Sequence, residues 1–268
     1  MGIFEIFTIV FSNPIINILV ALYKLLFLLG VPFALGFSII LLTIVIRVIL
    51  YPFVSAQIKS AHKMQKVAPH MSKIKALHKD DKKRQQEEIM KLYREHGVNP
   101  AASCLPMIVQ LPIIWALYQV LITVVGIKSI EAIGKINSVL YFPALKLNQV
   151  WDTLFFGLPL ADSPSKLIAH NPFIILIPII TGIFQFILSK MMMPDEVIEQ
   201  AVVKKDDFQA TFQKQSLFIF PVMIGYFSFI LPVGLALYWN TYTIFGILQQ
   251  YLLIGPGGAK SWVDRIKK

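Results

Sequence analysis

The segment that decides the fold is residues 31–54, which read VPFALGFSIILLTIVIRVILYPFV and contain one charged residue, Arg47. A helix needs about 20 mostly apolar residues to cross a bilayer, so this segment predicts a transmembrane helix. Residues 105–125, 172–193 and 215–254 are also apolar, and the last region is long enough for two spans. Leu231-Pro232-Val233-Gly234 interrupts that region with a turn signal. We therefore expect an all-α polytopic membrane protein with five transmembrane helices.

The composition supports the same fold class. Of 268 residues, 56% are hydrophobic and 15% are charged, whereas ordinary soluble domains carry about 25% charged residues. A soluble enzyme is thereby almost excluded. The single cysteine, Cys104, excludes an intramolecular disulfide and a cysteine-based metal cluster. The sequence has no nucleotide-binding loop, catalytic motif or metal-ligand motif, so we expect neither an enzyme nor a cofactor.

The first 30 residues allow two interpretations. Ser12-Asn13-Pro14 has the capping side chain and the proline that typically begin a helix. The apolar run from Ile15 to Leu29 contains Lys24 and is short for a span. We expect residues 1–30 to form an amphipathic helix that lies along the membrane interface. The alternative is a sixth, tilted span from about Ile3 to Leu29.

Lysines and arginines are distributed unevenly among the segments that connect the spans. Residues 55–97 hold eleven, residues 126–171 four, residues 194–214 three and residues 255–268 four. Cytoplasmic segments carry the excess of positive charge in membrane proteins. We therefore place residues 55–97, the loop 194–214 and the C-terminal tail 255–268 in the cytoplasm, and the N-terminus and the loop 126–171 outside. Residues 98–125 then form the second span with its lead-in.

The basic segment 55–97 has the pattern of a helical hairpin. Asp80-Asp81 separates two stretches and is positioned to cap the second helix, which Gly97 and Asn99-Pro100 end. Pro69 predicts a kink in the first arm. Apolar residues at spacings of three and four predict a narrow shared seam. Its expected members are Met64, Val67, Met71, Ile74 and Leu77 on the first arm and Ile89, Leu92, Tyr93 and His96 on the second.

The cations of this hairpin are candidates for recruiting a partner. They either form only a solvated surface that satisfies the topology, or they attract anionic lipid, at about 1 kcal/mol per basic residue near the surface. An acidic or RNA-bearing partner such as a ribosome fits the same charge. Specific nucleic-acid binding is disfavoured because Tyr93 is the one aromatic residue available for stacking. The candidate recruitment residues are Lys59, Lys63, Lys66, Lys73, Lys75, Lys82, Lys83 and Arg84.

Arg47 is a charge that needs an explanation inside a spanning helix. It lies five residues before Pro52, about 7.5 Å inside the expected end of the span, where burial costs about 2.5–3.5 kcal/mol. Its side chain either snorkels to the cytoplasmic interface or faces a hydrated groove within the bundle. No carboxylate lies at that depth in the first, second, third or fifth span, so we expect a partner from outside the protein. The polar residues expected to line the groove with Arg47 are Thr43, Gln110, Gln185, Trp239 and Asn240.

Several short motifs resemble those of the YidC/Oxa/Alb membrane protein insertases, over about residues 29–253. In chain order they are Lys63-Met64-Gln65, His96-Gly97-Val98-Asn99-Pro100, Cys104-Leu105-Pro106, Gln110-Leu111-Pro112, Ala116-Leu117-Tyr118, Phe220-Pro221, Pro232-Val233-Gly234-Leu235, Tyr238-Trp239 and Gln249-Gln250. Ala101-Ala102-Ser103 departs from the glycines of many bacterial members, and the large periplasmic domain of Gram-negative members is missing. The resemblance implies a five-helix core around a groove that opens to cytoplasm and lipid. It also implies an arginine in the first core helix, matched by Arg47, and a hairpin that recruits substrates.

The resemblance therefore predicts a membrane protein insertase and chaperone in the bacterial plasma membrane. The expected substrates are nascent membrane proteins with short acidic tails, which Arg47 attracts while the apolar segment partitions into lipid. No nucleotide is expected, and a monomer is expected to be sufficient. The resemblance implies that a ribosome or the Sec translocon cooperates. A small-solute transporter or channel is the alternative, although no internal repeat is visible, and a structural assembly factor is a third interpretation.

Overall fold

A computed structural model of the protein describes residues 2–97, 105–120, 122, 130–194 and 208–266. The described chain is mostly helical, as the sequence predicts. The predictions that concern Asn99-Pro100, Ala101-Ala102-Ser103 and Cys104 lie outside the described residues.

The N-terminal helix is longer than the sequence indicates. Helix α1 covers Ile3–Phe7, a π-helical turn covers Thr8–Ser12, and helix α2 follows at once over Asn13–Leu28. The predicted helix start at Ser12 is wrong, because Ser12 has helical dihedral angles and its side chain makes no capping hydrogen bond. Pro14 lacks an N–H and crowds the preceding turn, and the π-helical turn Thr8–Ser12 lies just before it.

This longer helix bears on the two interpretations of residues 1–30. By length and composition alone, Glu5–Leu28 can cross a membrane. The interfacial helix and the sixth span therefore both stay predictions.

Two polar side chains of α2 form hydrogen bonds with the backbone of residues 139–146. The Asn17 amide donates to the carbonyl oxygen of Val139 at 2.9 Å and accepts from the N–H of Tyr141 at 2.7 Å. The Lys24 ammonium donates to the carbonyl oxygens of residues 144 and 146 at 2.7 and 2.9 Å. These contacts fix the loop backbone against α2, so Lys24 has a structural partner.

The first span and the first arm of the hairpin form one helix. Helix α3 covers Ala34–Leu77, a length of 44 residues, and includes both Pro52 and Pro69. The expected end of the span near Pro52 is therefore not a helix end. A membrane-spanning helix tolerates proline because neighbouring groups satisfy the freed carbonyl. Pro52 consequently gives no reference point for the depth of Arg47.

The hairpin forms as predicted, except that two of the expected seam residues, Leu77 and His96, are exposed. Helix α4 covers Lys82–Glu95, and the Asp81 carboxylate accepts from the backbone N–H of Arg84 at 3.0 Å as the N-terminal cap. The prediction for Leu77 is wrong: its side chain is 78% exposed, and at that end of the hairpin the Gln85 amide instead donates to the carbonyl of Lys75 at 3.1 Å. The core of the seam consists of Val67, Met71, Leu92 and Tyr93, with Met64, Ile74 and Ile89 packed against it.

The remaining elements complete the described chain. They are α5 (Leu105–Val120), α6 (Ile130–Asn137), a 3₁₀ turn (Pro143–Leu145), the antiparallel strands β1 (Leu154–Phe155) and β2 (Leu158–Pro159), α7 (Pro164–Leu167), a 3₁₀ turn (Pro172–Ile175), α8 (Leu176–Met191), α9 (Phe208–Ile230), α10 (Val233–Leu253), a 3₁₀ turn (Gly257–Ala259) and α11 (Lys260–Ile266). The break between α9 and α10 at Leu231-Pro232 confirms the predicted turn.

Three helices of the described residues are long and apolar enough to cross a membrane by length and composition: Glu5–Leu28, Ala34–Leu77 and Pro172–Met191. Leu111–Val120 and Gln215–Ile230 are shorter apolar helices. The count of five spans and the predicted segment boundaries therefore stay predictions.

The chain forms two compact units, and several helices contribute to both. The first unit comprises Met1–Ile49, Val109–Phe184 and Val222–Phe245, and it contains Arg47. The second unit comprises Leu50–Ile108, Gln185–Pro221 and Gly246–Lys268, and it contains the hairpin and the C-terminal tail.

Candidate functional site

Arg47 is buried against helix α10. Its side chain is 3% exposed. The Nη2 group donates to the carbonyl oxygen of Tyr242 at 2.6 Å, and the guanidinium carbon lies 3.5 Å from the centre of the Tyr242 ring. The ring of Phe245 is 5.6 Å away. Cations are attracted to aromatic faces at such distances, so the side chain is held inside the first unit.

The expectation that Arg47 has no internal partner is therefore wrong. Its partners are a backbone carbonyl oxygen and two aromatic faces, none of which is a carboxylate. All of these partners are neutral, however, and the Arg47 Nε group is buried without a hydrogen-bond partner among the described residues. Within the described part of the first unit, the positive charge is stabilised but not neutralised.

Helix periodicity explains why α10 can receive the arginine. Tyr238, Tyr242 and Phe245 recur at spacings of four and three, which places them on one face of α10. The rings of Tyr238 and Tyr242 are 5.8 Å apart, and Tyr238 is fully buried. The predicted groove residues include Trp239 and Asn240 of this helix but neither Tyr242 nor Phe245, although the spacing of the aromatic residues is visible in the sequence.

Thr43 and Trp239, two of the predicted groove residues, are both buried. Thr43 lies one turn before Arg47 on the same face of α3, and its hydroxyl donates to the carbonyl of Ile39 at 2.7 Å. That bond satisfies the hydroxyl donor within its own helix. Trp239 is 7% exposed. It is the residue after Tyr238, so its side chain points about 100° around α10 from that of Tyr238, which lies on the same helix face as Tyr242.

Asn240 belongs to a different polar cluster. Its amide donates to the Thr181 hydroxyl at 3.1 Å, and the hydroxyls of Thr181 and Ser228 are also 3.1 Å apart. This cluster joins α8, α9 and α10 within the first unit, and the sequence reasoning did not select Thr181 or Ser228. Because Asn240 and Tyr242 are two residues apart, they lie about 200° apart around the helix. Asn240 is therefore not brought to Arg47.

The predicted roles of the two glutamines stay predictions. Gln185 lies in the second unit, where its amide donates weakly to the Ser189 hydroxyl at 3.5 Å. Gln110 lies on α5, and its side chain falls outside the described part of the structure. Of the predicted groove residues, Thr43 is the one that shares a helix face with Arg47.

The hairpin presents its cations around a small apolar core. Lys59, Lys63, Lys66, Lys73, Lys82, Lys83 and Arg84 are exposed, and Lys75 is half-buried. In the core, the Tyr93 hydroxyl donates to the Met71 sulfur at 3.2 Å, and burial raises the pKa of Tyr93 above its ordinary value. The hairpin is thus a folded support that exposes basic side chains to solvent.

Comparisons with known proteins agree with this architecture. The family model described as "60Kd inner membrane protein" matches residues 26–256. The chain is 35% identical over 250 residues to "Membrane protein insertase YidC" of Streptomyces avermitilis, covering 87% of this chain and 55% of that protein. It is 34% identical over 222 residues to the protein of the same name from Fusobacterium nucleatum, covering 83% of this chain and 87% of that one.

A solved structure is also similar. It is titled "Active YidC insertase crystal structure with the first transmembrane domain resolved", with a TM-score of 0.53 and 27% identity over 87% of this chain and 45% of that chain. The chain thus spans about half the length of the Streptomyces avermitilis relative and of this solved protein. The chain belongs to the YidC/Oxa/Alb family of membrane proteins.

Proposed function

We propose that the protein inserts nascent membrane proteins into the bilayer, the activity that the names of its relatives state for them. The observation that carries the proposal is the buried charge of Arg47, which no acidic group among the described residues of the first unit neutralises. A guanidinium group has five N–H donors, and a negatively charged group arriving from outside the protein would satisfy the Nε donor, which has no partner among the described residues. The expected visitor is the short acidic tail of a substrate.

The low exposure of Arg47 sets a condition on this mechanism. At 3% exposure, the guanidinium is reached only when the surrounding helices part. The groove, open to the cytoplasm and to lipid, therefore forms or widens as the substrate enters. The Tyr242 ring keeps the arginine in place before and after the substrate passes, because an aromatic face stabilises a cation without neutralising it.

The driving force comes from lipid and from the membrane potential. Exposed apolar side chains at spacings of four, Phe218, Val222 and Tyr226 on α9 and Leu111 and Trp115 on α5, offer surfaces along which an apolar segment moves into lipid. A potential that is negative inside favours outward transfer of each acidic residue by about 2.3 kcal/mol per 100 mV. This mechanism requires no nucleotide.

The hairpin is the proposed recruitment surface. Its exposed lysines attract anionic lipid, and a ribosome or the Sec translocon are further proposed partners. In this arrangement the protein lies in the plasma membrane, with the hairpin and the C-terminal tail in the cytoplasm and the N-terminus outside. A monomer is sufficient, because one bundle contains the proposed path.

The test compares Arg47→Ala with Arg47→Lys in cells depleted of their own insertase. With alanine we expect loss of insertion of single-span substrates that have acidic tails, and with lysine we expect partial insertion, because the charge is kept but the fork of donors is lost. Lys166→Ala, which removes a cation from the loop 126–171, is the matched control and should insert normally. Normal insertion by Arg47→Ala would refute the role of the charge, and unimpaired insertion without the protein would refute the function.

A further inference from the structure

The second unit contains a cavity that the proposed insertase mechanism does not use. Its volume is about 200 Å³, more than ten times the 10–15 Å³ that one water requires. Four segments enclose it: α3 beyond Pro52, the end of α8, the end of α10 and the start of the C-terminal tail. The residues that characterise it are Ile58, His62, Gln65, Met191, Gln250 and Lys260.

The polar side chains of the cavity are two amides, one imidazole and one ammonium, which is a fixed positive charge. The Gln65 amide donates to the Met192 carbonyl at 2.7 Å, and the Gln250 amide donates to the Met191 carbonyl at 3.4 Å. Each NH₂ group has a second hydrogen, and each side-chain oxygen is an acceptor. Lys260 is exposed and contributes an ammonium, and none of the described residues that line the cavity is Asp or Glu. The lining thus suits a phosphate that carries hydroxyl groups.

The apolar part of the cavity and its location indicate a lipid. The rest of the wall is formed by Ile58, Ala61, the methionines Met191–Met193, Ile254, Pro256 and Gly257. Helix α8 ends at Met191 and α10 ends at Leu253, so the cavity lies where two apolar helices end. Lipid headgroups are found at that level of a membrane.

Close backbone packing fixes the C-terminal side of the cavity. The Gly258 N–H donates to the Met193 carbonyl at 3.1 Å. A Cβ atom on Gly257 would overlap the Met191 carbonyl oxygen, and Gly257 has a φ of +50°. These two glycines let the tail approach the end of α8, and Lys260 follows them after one residue, Ala259. The lysine is therefore held at the cavity entrance by the backbone.

We propose that this cavity binds the phosphodiester headgroup of an anionic phospholipid, of the glycerol type. The phosphate lies at the Lys260 ammonium and the His62 ring, the headgroup hydroxyls bond to the amides of Gln65 and Gln250, and the acyl chains follow the apolar wall. Such a lipid would link the C-terminal tail to the part of α3 around Ile58 and His62, where the first arm of the hairpin begins. This binding does not depend on the proposed insertase function.

The test measures lipid affinity of the full chain in detergent by native mass spectrometry, without any substrate. Phosphatidylglycerol should bind at least tenfold more tightly than phosphatidylcholine. Lys260→Gln should weaken phosphatidylglycerol binding about tenfold, the loss of one charge-assisted hydrogen bond. Ala61→Leu, which fills the cavity at unchanged charge, should weaken it similarly. Arg265→Gln, which removes a cation from the same tail but does not line the cavity, should change it less than twofold.

Three results would overturn the proposal. Equal losses for Lys260→Gln and Arg265→Gln would mean general attraction to the tail. Unchanged binding in Ala61→Leu would place the lipid elsewhere. Competition by inorganic phosphate as strong as by phosphatidylglycerol would make free phosphate the ligand. Arg47→Ala should bind the lipid normally, so failure of the insertase proposal and failure of this one are distinguishable.

Discussion

Replacing Tyr242 by leucine should destabilise the protein specifically through Arg47. The guanidinium carbon is 3.5 Å from the ring centre, and the arginine is 3% exposed. A desolvated cation–π contact contributes about 2 kcal/mol. The leucine variant keeps the backbone carbonyl that accepts from Arg47 at 2.6 Å, so the change removes the aromatic face and leaves the hydrogen bond. It also removes the ring contact with Tyr238, about 0.5–1.5 kcal/mol.

A double-mutant cycle separates these contributions. The free energy of unfolding is measured by SDS titration in mixed micelles for the wild type, Arg47→Met, Tyr242→Leu and the double variant. The contact with Tyr238 is lost on both sides of the cycle and cancels. We expect a coupling free energy of about 2 kcal/mol between Arg47 and Tyr242.

Two further variants make the result specific. Tyr242→Phe keeps the aromatic face and should retain most of the coupling. Phe245→Leu removes a ring 5.6 Å from the guanidinium and should show a coupling below about 1 kcal/mol. A coupling for Tyr242 that is zero, or no larger than that for Phe245, would refute the reasoning that the ring holds the arginine.

Three smaller predictions concern local packing. Leu92→Ala should lower the protection of the hairpin amides against hydrogen exchange by about 2 kcal/mol. The control Leu77→Ala, at a site that is 78% exposed, should change this protection by less than about 0.5 kcal/mol. Equal effects of the two variants would contradict the observed seam. Because burial raises the pKa of Tyr93, the folded hairpin favours the neutral phenol. The stability of the hairpin should therefore be constant below about pH 10 and fall above it. A melting temperature of the hairpin, measured by circular dichroism, that is unchanged up to pH 11 would contradict this. Gly36→Ala should destabilise the first unit by about 1–3 kcal/mol in SDS titration, because the added Cβ overlaps the Phe155 ring. The control Gly134→Ala, in a helix with open space around that position, should be neutral or stabilise by about 0.5–1 kcal/mol. The reverse order of the two effects would contradict the observed packing.

The hairpin was predictable because its information is local. Spacings of three and four identify the seam around Met71 and Leu92, and an aspartate before the second arm identifies its cap, which Asp81 provides. Leu77 fits the same spacing but is exposed, since a polar bond from Gln85 to the backbone occupies that end of the hairpin. Periodicity alone does not show where two helices cease to touch.

The proline-based boundaries failed for a physical reason. Pro14 is accommodated by a π turn and Pro52 lies inside a continuous helix. In water, an unpaired carbonyl and a steric clash make proline a strong helix terminator. Where a helix crosses a membrane, exposing the backbone to lipid costs more than continuing the helix, so a span of the predicted kind continues through proline.

The site was only partly predictable. The position of Arg47 within an apolar helix follows from the sequence, but its acceptor is the Tyr242 backbone carbonyl, and every residue has such a carbonyl. The cluster of Thr181, Ser228 and Asn240 depends on which helices are neighbours. Helix periodicity alone could have separated Asn240 from Tyr242, since residues two apart point to opposite sides.

Insertion into proteoliposomes that contain only this protein tests the central claim most directly. Wild type and Arg47→Met are each given two single-span substrates, one with two aspartates in its short tail and one with asparagines in their place. The account predicts that Arg47→Met reduces insertion of the aspartate substrate about tenfold or more, the loss of one hydrogen bond between charged groups, and leaves the asparagine substrate within twofold. Equal reduction of both substrates, or reduction of neither, would contradict the claim that Arg47 acts on the acidic tail.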